Sequence, residues 1–250
     1  MPHTPAEHPA SSATTEWFAT THWSMVLAAQ QTSSTHVNQA LEQLCRIYWF
    51  PLYSYIRRRG HDAYDAQDLA QEFFARLLSR NDLGQVDRAK GKFRSFLIAS
   101  LNHFLANEWD RVKAEKRGGG RKLVSLDDAS AEERYLIESV TDVSPEALFE
   151  QRWALTLLDQ ALGRLRREFL ANGKSDQFEV LKPFLEGETR NAEYVSASAK
   201  LDMTPNAVAV LVHRLRQKYR KLVRAEIAQT VSSPADIDEE MRHLFKVIGG

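Results

Sequence analysis

The sequence predicts an all-α protein of two helical domains joined by a flexible acidic linker. Three observations predict it. Apolar residues recur at helical spacing along almost the whole chain, and no alternating run is flanked by hairpin turns. Cap residues, first-turn prolines and terminal glycines divide that pattern into segments. Residues 125–150 carry eight acidic residues against one basic residue, Arg134, a composition break that separates two helical halves.

The elements follow in order. Residues 1–16 are rich in Pro, Ser, Thr and Ala and are expected to be disordered, within an N-terminal segment of residues 1–19. "THWSMVLAAQ" opens at Thr21, a helix cap, and predicts a short helix; "STHVNQALEQLCRIYWF" predicts a second. Pro51 is expected to interrupt it, with "PLYSYIRRRG" restarting on the proline and stopping at Gly60. Residues 63–79 form the next helix, with Leu69, Phe73 and Leu77 as its apolar stripe. "GQVDRAKGK" is a loop, and "FRSFLIASLNHFLANEWDRVKAEKR" a long helix closed by the glycines at 118–120. These elements make a first domain, residues 20–120, followed by the linker, residues 121–143. The second domain, residues 144–228, opens with a Ser144 cap and Pro145 and a helix that stops at Gly173. "SDQFEVLKPFLEG" is shorter; "NAEYVSASAKL" then meets a tight turn at Asp202 and Met203, and Thr204 and Pro205 start a long helix. Residues 229–250 are a tail with one amphipathic helix.

Bulk composition bounds the function. With 250 residues, 43% of them hydrophobic, the chain can bury a sizeable core, and its net charge of zero excludes a uniformly basic protein. Cys45 is the sole cysteine, which rules out an intramolecular disulfide and a Cys-based zinc site. The apolar runs are too short to span a bilayer, so no membrane insertion is expected. The N-terminus lacks the charged start and apolar core of a signal peptide, and a cytoplasmic protein is expected.

Three stretches carry chemistry. In "DAQDLAQEFFARLL", Asp65, Asp68, Gln71 and Glu72 recur at helical spacing. They suit a metal, acid–base chemistry, plain solvation or a docked partner. A helical metal site draws ligands from several helices, and no paired Glu-x-x-His motif, nucleophile elbow, Walker motif or HExxH is present. No catalytic residue, metal or cofactor is therefore expected, and the protein is not read as an enzyme. From 88 to 122, ten basic residues face three acidic ones among Phe93, Phe96, Phe104 and Trp109. Basic groups beside aromatic rings suit a single nucleic-acid strand, since bases stack while the backbone is neutralised. The phenylalanines at helical spacing belong to the core; Trp109, Asn102, His103, Asn107, Arg111 and Lys113 are the candidate contacts. From 213 to 224 there are six Lys or Arg and no acid, on a helix that follows a short helix and a tight turn. That is the helix-turn-helix pattern, with Val208, Leu211, Leu215, Tyr219 and Leu222 as its inner face.

Taken in order, "LCRIYWFPLYSYIRRRG" with "DAYDAQDLAQEFFARLL", then "KFRSFLIASLNHFLANEWDRVKAEKRGGG", then "AEYVSASAKLDMTPNAVAVLVHRLRQKYRKLV" resembles the sigma-70 family of RNA polymerase sigma factors, of the extracytoplasmic-function (ECF) type. The first two pieces resemble sigma region 2 and the third sigma region 4, across roughly residues 20–228; the "DAxDLxQExF" stretch is the most specific. The linker is longer than in the smallest members, and the tail is extra. The resemblance implies a factor that binds core RNA polymerase and directs promoter recognition, DNA melting and transcription initiation. It places Asp65, Asp68, Gln71 and Glu72 against the polymerase clamp helices. Asn102, Asn107, Trp109, Arg111 and Lys113 face the minus-ten strand; Thr204, Asn206, Val210, His213, Arg214 and Lys218 face the minus-thirty-five groove. The implied partners are core polymerase and promoter DNA, with an anti-sigma factor as a further one. The alternative is a helix-turn-helix regulator that does not bind core polymerase.

Overall fold

A computed structural model describes residues 35–79, 92–115, 129–137, 143–186, 191–231 and 233–249. Among them run α1 (Thr35–Arg58), α2 (Ala63–Ser79), α3 (Phe93–Glu115), α4 (Ala129–Ile137), α5 (Pro145–Ala171), α6 (Ser175–Leu181), a 3-10 turn (Lys182–Leu185), α7 (Asn191–Leu201), α8 (Pro205–Ala228) and α9 (Ala235–Gly249). The described chain is helical, with one isolated antiparallel bridge, Lys92 to Val231. The segment at residues 1–19, the helix expected from Thr21 and the glycines at 118–120 lie outside the described residues.

Pro51 does not break the first helix: it lies inside a continuous α1. A proline in a helix interior costs about 3 kcal/mol. Around it, Ile47, Tyr48, Phe50, Leu52, Tyr53, Tyr55 and Ile56 are all buried. Each large apolar side chain returns about 1.5–3 kcal/mol on burial, so packing outweighs the local penalty. The chain leaves α1 through Gly60, whose φ of +96° suits glycine, and Gly60 N–H donates to the Arg57 carbonyl at 3.0 Å. Asp62 then caps α2, its Oδ1 accepting the Asp65 N–H at 2.8 Å. The inner face of α2 is Ala66, Ala70, Phe73, Phe74 and Leu77, with Leu69 only half-buried.

The chain divides into two compact units. One takes residues up to Trp153 together with Ala228 onward; the other is Ala154–Ile227. The expected division placed 144–153 in the second domain and 229–250 in a separate tail; in the structure both stretches fall in the first unit. In that unit Tyr48 meets Phe93 edge-on at 5.0 Å and accepts a hydrogen bond from Trp153 Nε1 at 3.1 Å. The C-terminal helix α9 buries Ile237, Met241 and Leu244 and is tied to the start of α3 by charge. Buried Arg94 donates to Glu240 at 2.9 and 3.0 Å, also contacts Glu150, and reaches His243 Nε2 at 2.9 Å. The expected flexible linker differs too. Ala129–Ile137 is helix α4, held by Glu132 to Arg57 of α1; the rest of the stretch up to 142 lies outside the described residues.

The second unit rests on two capped turns. At the end of α5, Gly173 takes φ +67°, its N–H donates to Leu170, and Lys174 N–H reaches back to Phe169 at 2.9 Å. This is the glycine-terminated closure the sequence predicts. The same closure recurs after α7 with a non-glycine residue: Asp202 takes φ +50° and Met203 N–H donates to Ser198 at 3.0 Å. Thr204 Oγ1 then accepts the Ala207 N–H at 3.2 Å and starts α8. Val208, Val212, Leu215, Leu222 and Val223 of α8 are buried. Tyr219 is half-buried and donates to the Leu158 carbonyl at 3.1 Å, and burial pushes its phenol up to about 12.

Candidate functional surfaces

The outer side of α2 carries the acid and amide groups. Asp65 is exposed; Asp68, Gln71 and Glu72 are half-exposed, opposite the buried alanine and phenylalanine face. Asp65, Asp68 and Glu72 stand at i, i+3 and i+7, so one helix face brings them together. Carboxylates in the first turn also sit well with the positive end of the helix dipole. Glu72 differs from the other three. It pairs with Arg76 at 2.7 Å, Arg76 pairs with the buried Glu108 of α3 at 2.6 Å, and the guanidinium lies over Phe104 at 4.9 Å. Glu72 thus belongs to the tie between α2 and α3 as well as to the surface. Tyr64 is 74% exposed on the same turn, one position before Asp65. The carboxylate and amide spacing that marks this face in the sequence does not include Tyr64. Among the described residues no three His, Cys, Asp or Glu side chains are placed to hold a metal ion.

Helix α3 buries Phe93, Leu97, Leu101, Phe104 and Leu105 and turns Asn107 and Trp109 outward, Trp109 at 61% exposure. Asn102 is half-buried and its Oδ1 accepts the Tyr55 hydroxyl at 2.9 Å, which fixes the amide against α1. Arg111 and Lys113 lie on the last turns of α3, with side chains outside the described ones.

The cap residue Thr204 and, on α8, Asn206, Val210, His213, Arg214 and Lys218 are all exposed. Asn206, Val210, His213 and Gln217 follow at i, i+4, i+7 and i+11, a single stripe beginning at the turn. His213 Nε2 lies 3.0 Å from the Gln217 amide. Lys218 pairs with Glu168 at 2.5 Å, while Arg216 is turned to the Phe184 carbonyl at 2.9 Å. Arg220, Lys221 and Arg224 extend the exposed basic flank.

Comparison with known proteins bears on one stretch of the chain. Residues 51–114 match the family model described as Sigma-70 region 2. That stretch, about a quarter of the chain, is similar to a sigma-70 region 2 domain. The matched span runs from Pro51 through α2 and nearly all of α3. No curated protein and no solved structure matches the chain. Among the described residues, no helix is long and apolar enough to cross a membrane.

Proposed function

We propose that the protein is a sigma factor of the ECF type that docks on core RNA polymerase, reads two promoter elements and holds the melted strand. The observation that carries this reading is the region 2 match over residues 51–114, which spans both the acidic face of α2 and the exposed aromatic–amide face of α3. Asp65, Asp68, Gln71 and Glu72 meet basic side chains of the polymerase clamp. Asn107 and Trp109, with Asn102, Arg111 and Lys113, face the minus-ten strand, where an exposed indole offers a stacking surface to an unpaired base. The second unit reads the minus-thirty-five duplex with α8. The capped three-residue turn at 202–204 and the exposed stripe from Asn206 to Gln217 support this, because such a helix presents its N-terminal turns to base edges and its basic flank to phosphates. Neither reader needs high affinity alone, since tethering through polymerase supplies effective concentration. The setting is the cytoplasm, where polymerase and promoter DNA are found.

The test is transcription by purified core polymerase on a genomic fragment library, with and without the chain. The proposal expects discrete start sites that require the chain. A chain that protects duplex DNA by itself, yet neither associates with core enzyme nor yields new start sites, is the helix-turn-helix regulator.

A further inference from the structure

Three helices of the second unit meet around a cavity of about 230 Å³. Helix α8 lines it with Leu211, Arg214, Leu215 and Lys218, which stand at i, i+3, i+4 and i+7, so one face of the helix forms a wall. Leu181 of α6 and Phe169 of α5 complete an apolar floor. Leu181 and Leu215 are buried; Phe169 is half-buried, with its ring tilted against the buried Phe178 at 5.5 Å. The rim is different in kind. Lys174, Arg214 and Lys218 border the cavity, and Glu168 is the one carboxylate among the residues that line it.

Glu168 shows what this rim attracts. Its Oε2 lies 2.5 Å from Lys218 Nζ, and that ammonium stands 6.0 Å from the centre of the Phe169 ring. A carboxylate, a cation and an aromatic ring are thus already assembled at one edge of the cavity. Arg214 and Lys174 pair with no carboxylate among the described residues. Three cations less one carboxylate leave two positive charges beside an apolar floor. A gap left by imperfect packing is apolar and carries no such excess.

Size and shape narrow the ligand. An apolar cavity of about 150 Å³ admits one benzene ring, and pockets for drug-sized ligands start at about 300 Å³. The 230 Å³ here falls between them, which suits a single ring with a short acidic arm. A ring fits better than an alkyl chain, because Phe169 offers an aromatic neighbour and a guanidinium such as that of Arg214 stacks on aromatic faces. An arginine also binds a carboxylate by charge-assisted hydrogen bonds, which are about twice as strong as neutral ones.

We propose that this cavity is a binding site for a small aromatic carboxylate. The ring lies on Phe169, Leu181, Leu211 and Leu215, the carboxylate meets Arg214 and Lys174, and Glu168 competes for Lys218. Arg214 and Lys218 also belong to the set proposed to face the upstream duplex. The ligand site stands whether or not that reading holds, because it concerns the chain alone with a small anion.

The experiment is calorimetric titration of the full chain with hydrocinnamate and with phenylacetate, up to millimolar ligand. Two controls separate the contributions: hydrocinnamyl alcohol keeps the ring without the charge, and propionate keeps the charge without the ring. Saturable binding of one aromatic acid per chain is expected, with each control at least tenfold weaker. R214Q is expected to weaken the acid about tenfold and leave the alcohol unchanged, while E168Q strengthens the acid severalfold by releasing Lys218. No saturable binding of either acid overturns the proposal, as does an alcohol that binds as tightly as the acid or an R214Q chain that binds the acid as wild type does. A second measurement needs no substitution. Saturating hydrocinnamate is expected to slow hydrogen exchange over residues 168–181 of the wild-type chain severalfold; unchanged exchange there overturns the proposal even if the variants do not fold.

Discussion

Arg94 is the residue on which the docking of the C-terminal helix depends most. Its side chain is 9% exposed and that of Glu240 is 1% exposed, and the two share two hydrogen bonds. The guanidinium also contacts Glu150 and lies over the Trp153 ring at 5.0 Å. Replacing it by methionine keeps much of the side-chain volume and removes the charge, leaving Glu240 buried with Lys92 at 2.9 Å. Breaking a buried pair from one side costs about 3–5 kcal/mol, and the remaining lysine puts R94M near 3 kcal/mol, at the lower end. That is a large share of the roughly 5–15 kcal/mol that stabilises a folded domain. R94M/E240M removes both charges, and a buried pair exchanged for apolar side chains is often neutral, so the double variant is expected within about 1 kcal/mol of wild type. Urea unfolding followed by far-ultraviolet circular dichroism measures wild type, R94M, E240M and R94M/E240M. An R94M loss below about 1 kcal/mol, or a double variant as unstable as the sum of the two single ones, refutes the reasoning.

Other predictions follow from the same geometry. The Arg57 guanidinium holds the Glu132 carboxyl below its usual range, so the pair stabilises the fold above the ordinary Glu value of about 4.3 and is lost as pH falls through the depressed value. The stability gap between wild type and E132Q is therefore full at neutral pH and closes in acid; a gap independent of pH contradicts the pairing. Asp202 holds φ +50° in the turn between α7 and α8, where glycine pays no steric penalty. D202G is expected to match or exceed wild type in thermal stability by up to about 1 kcal/mol, and a clear loss tells against the turn geometry. Arg214 is exposed on α8. R214A is expected to weaken binding at the upstream element by about 1–3 kcal/mol if the contact is bidentate to guanine, with the fold intact; an unchanged footprint removes it from the surface.

Local signals were legible in the sequence where they act locally. The bounds of α2, the Gly173 stop and the Thr204–Pro205 start are written in residues within one or two turns of each other. What was not legible depends on distant partners. Pro51 reads as a break until the burial of its neighbours is known. Residues 129–137 read as linker because the arginine that holds Glu132 lies 75 positions earlier. The tail shows its amphipathic face, but nothing near Glu240 points to Arg94, 146 positions away. The site residues divide in the same manner. Asp65 and the α8 stripe are exposed and Asp68 half-exposed, as periodicity suggests, while Glu72 is engaged by Arg76 one turn on, itself held by Glu108 of α3, and Asn102 by Tyr55 of α1.

Polymerase docking through α2 is best tested at Asp65 and Asp68, because Glu72 is tied through Arg76 to Glu108 and its replacement would disturb α3. Binding of labelled core polymerase is measured against wild type and D65R/D68R, with circular dichroism as the control for folding. The account predicts a folded variant whose affinity falls at least tenfold, a loss of about 1.4 kcal/mol or more. A folded D65R/D68R chain that binds core polymerase as wild type does would contradict it.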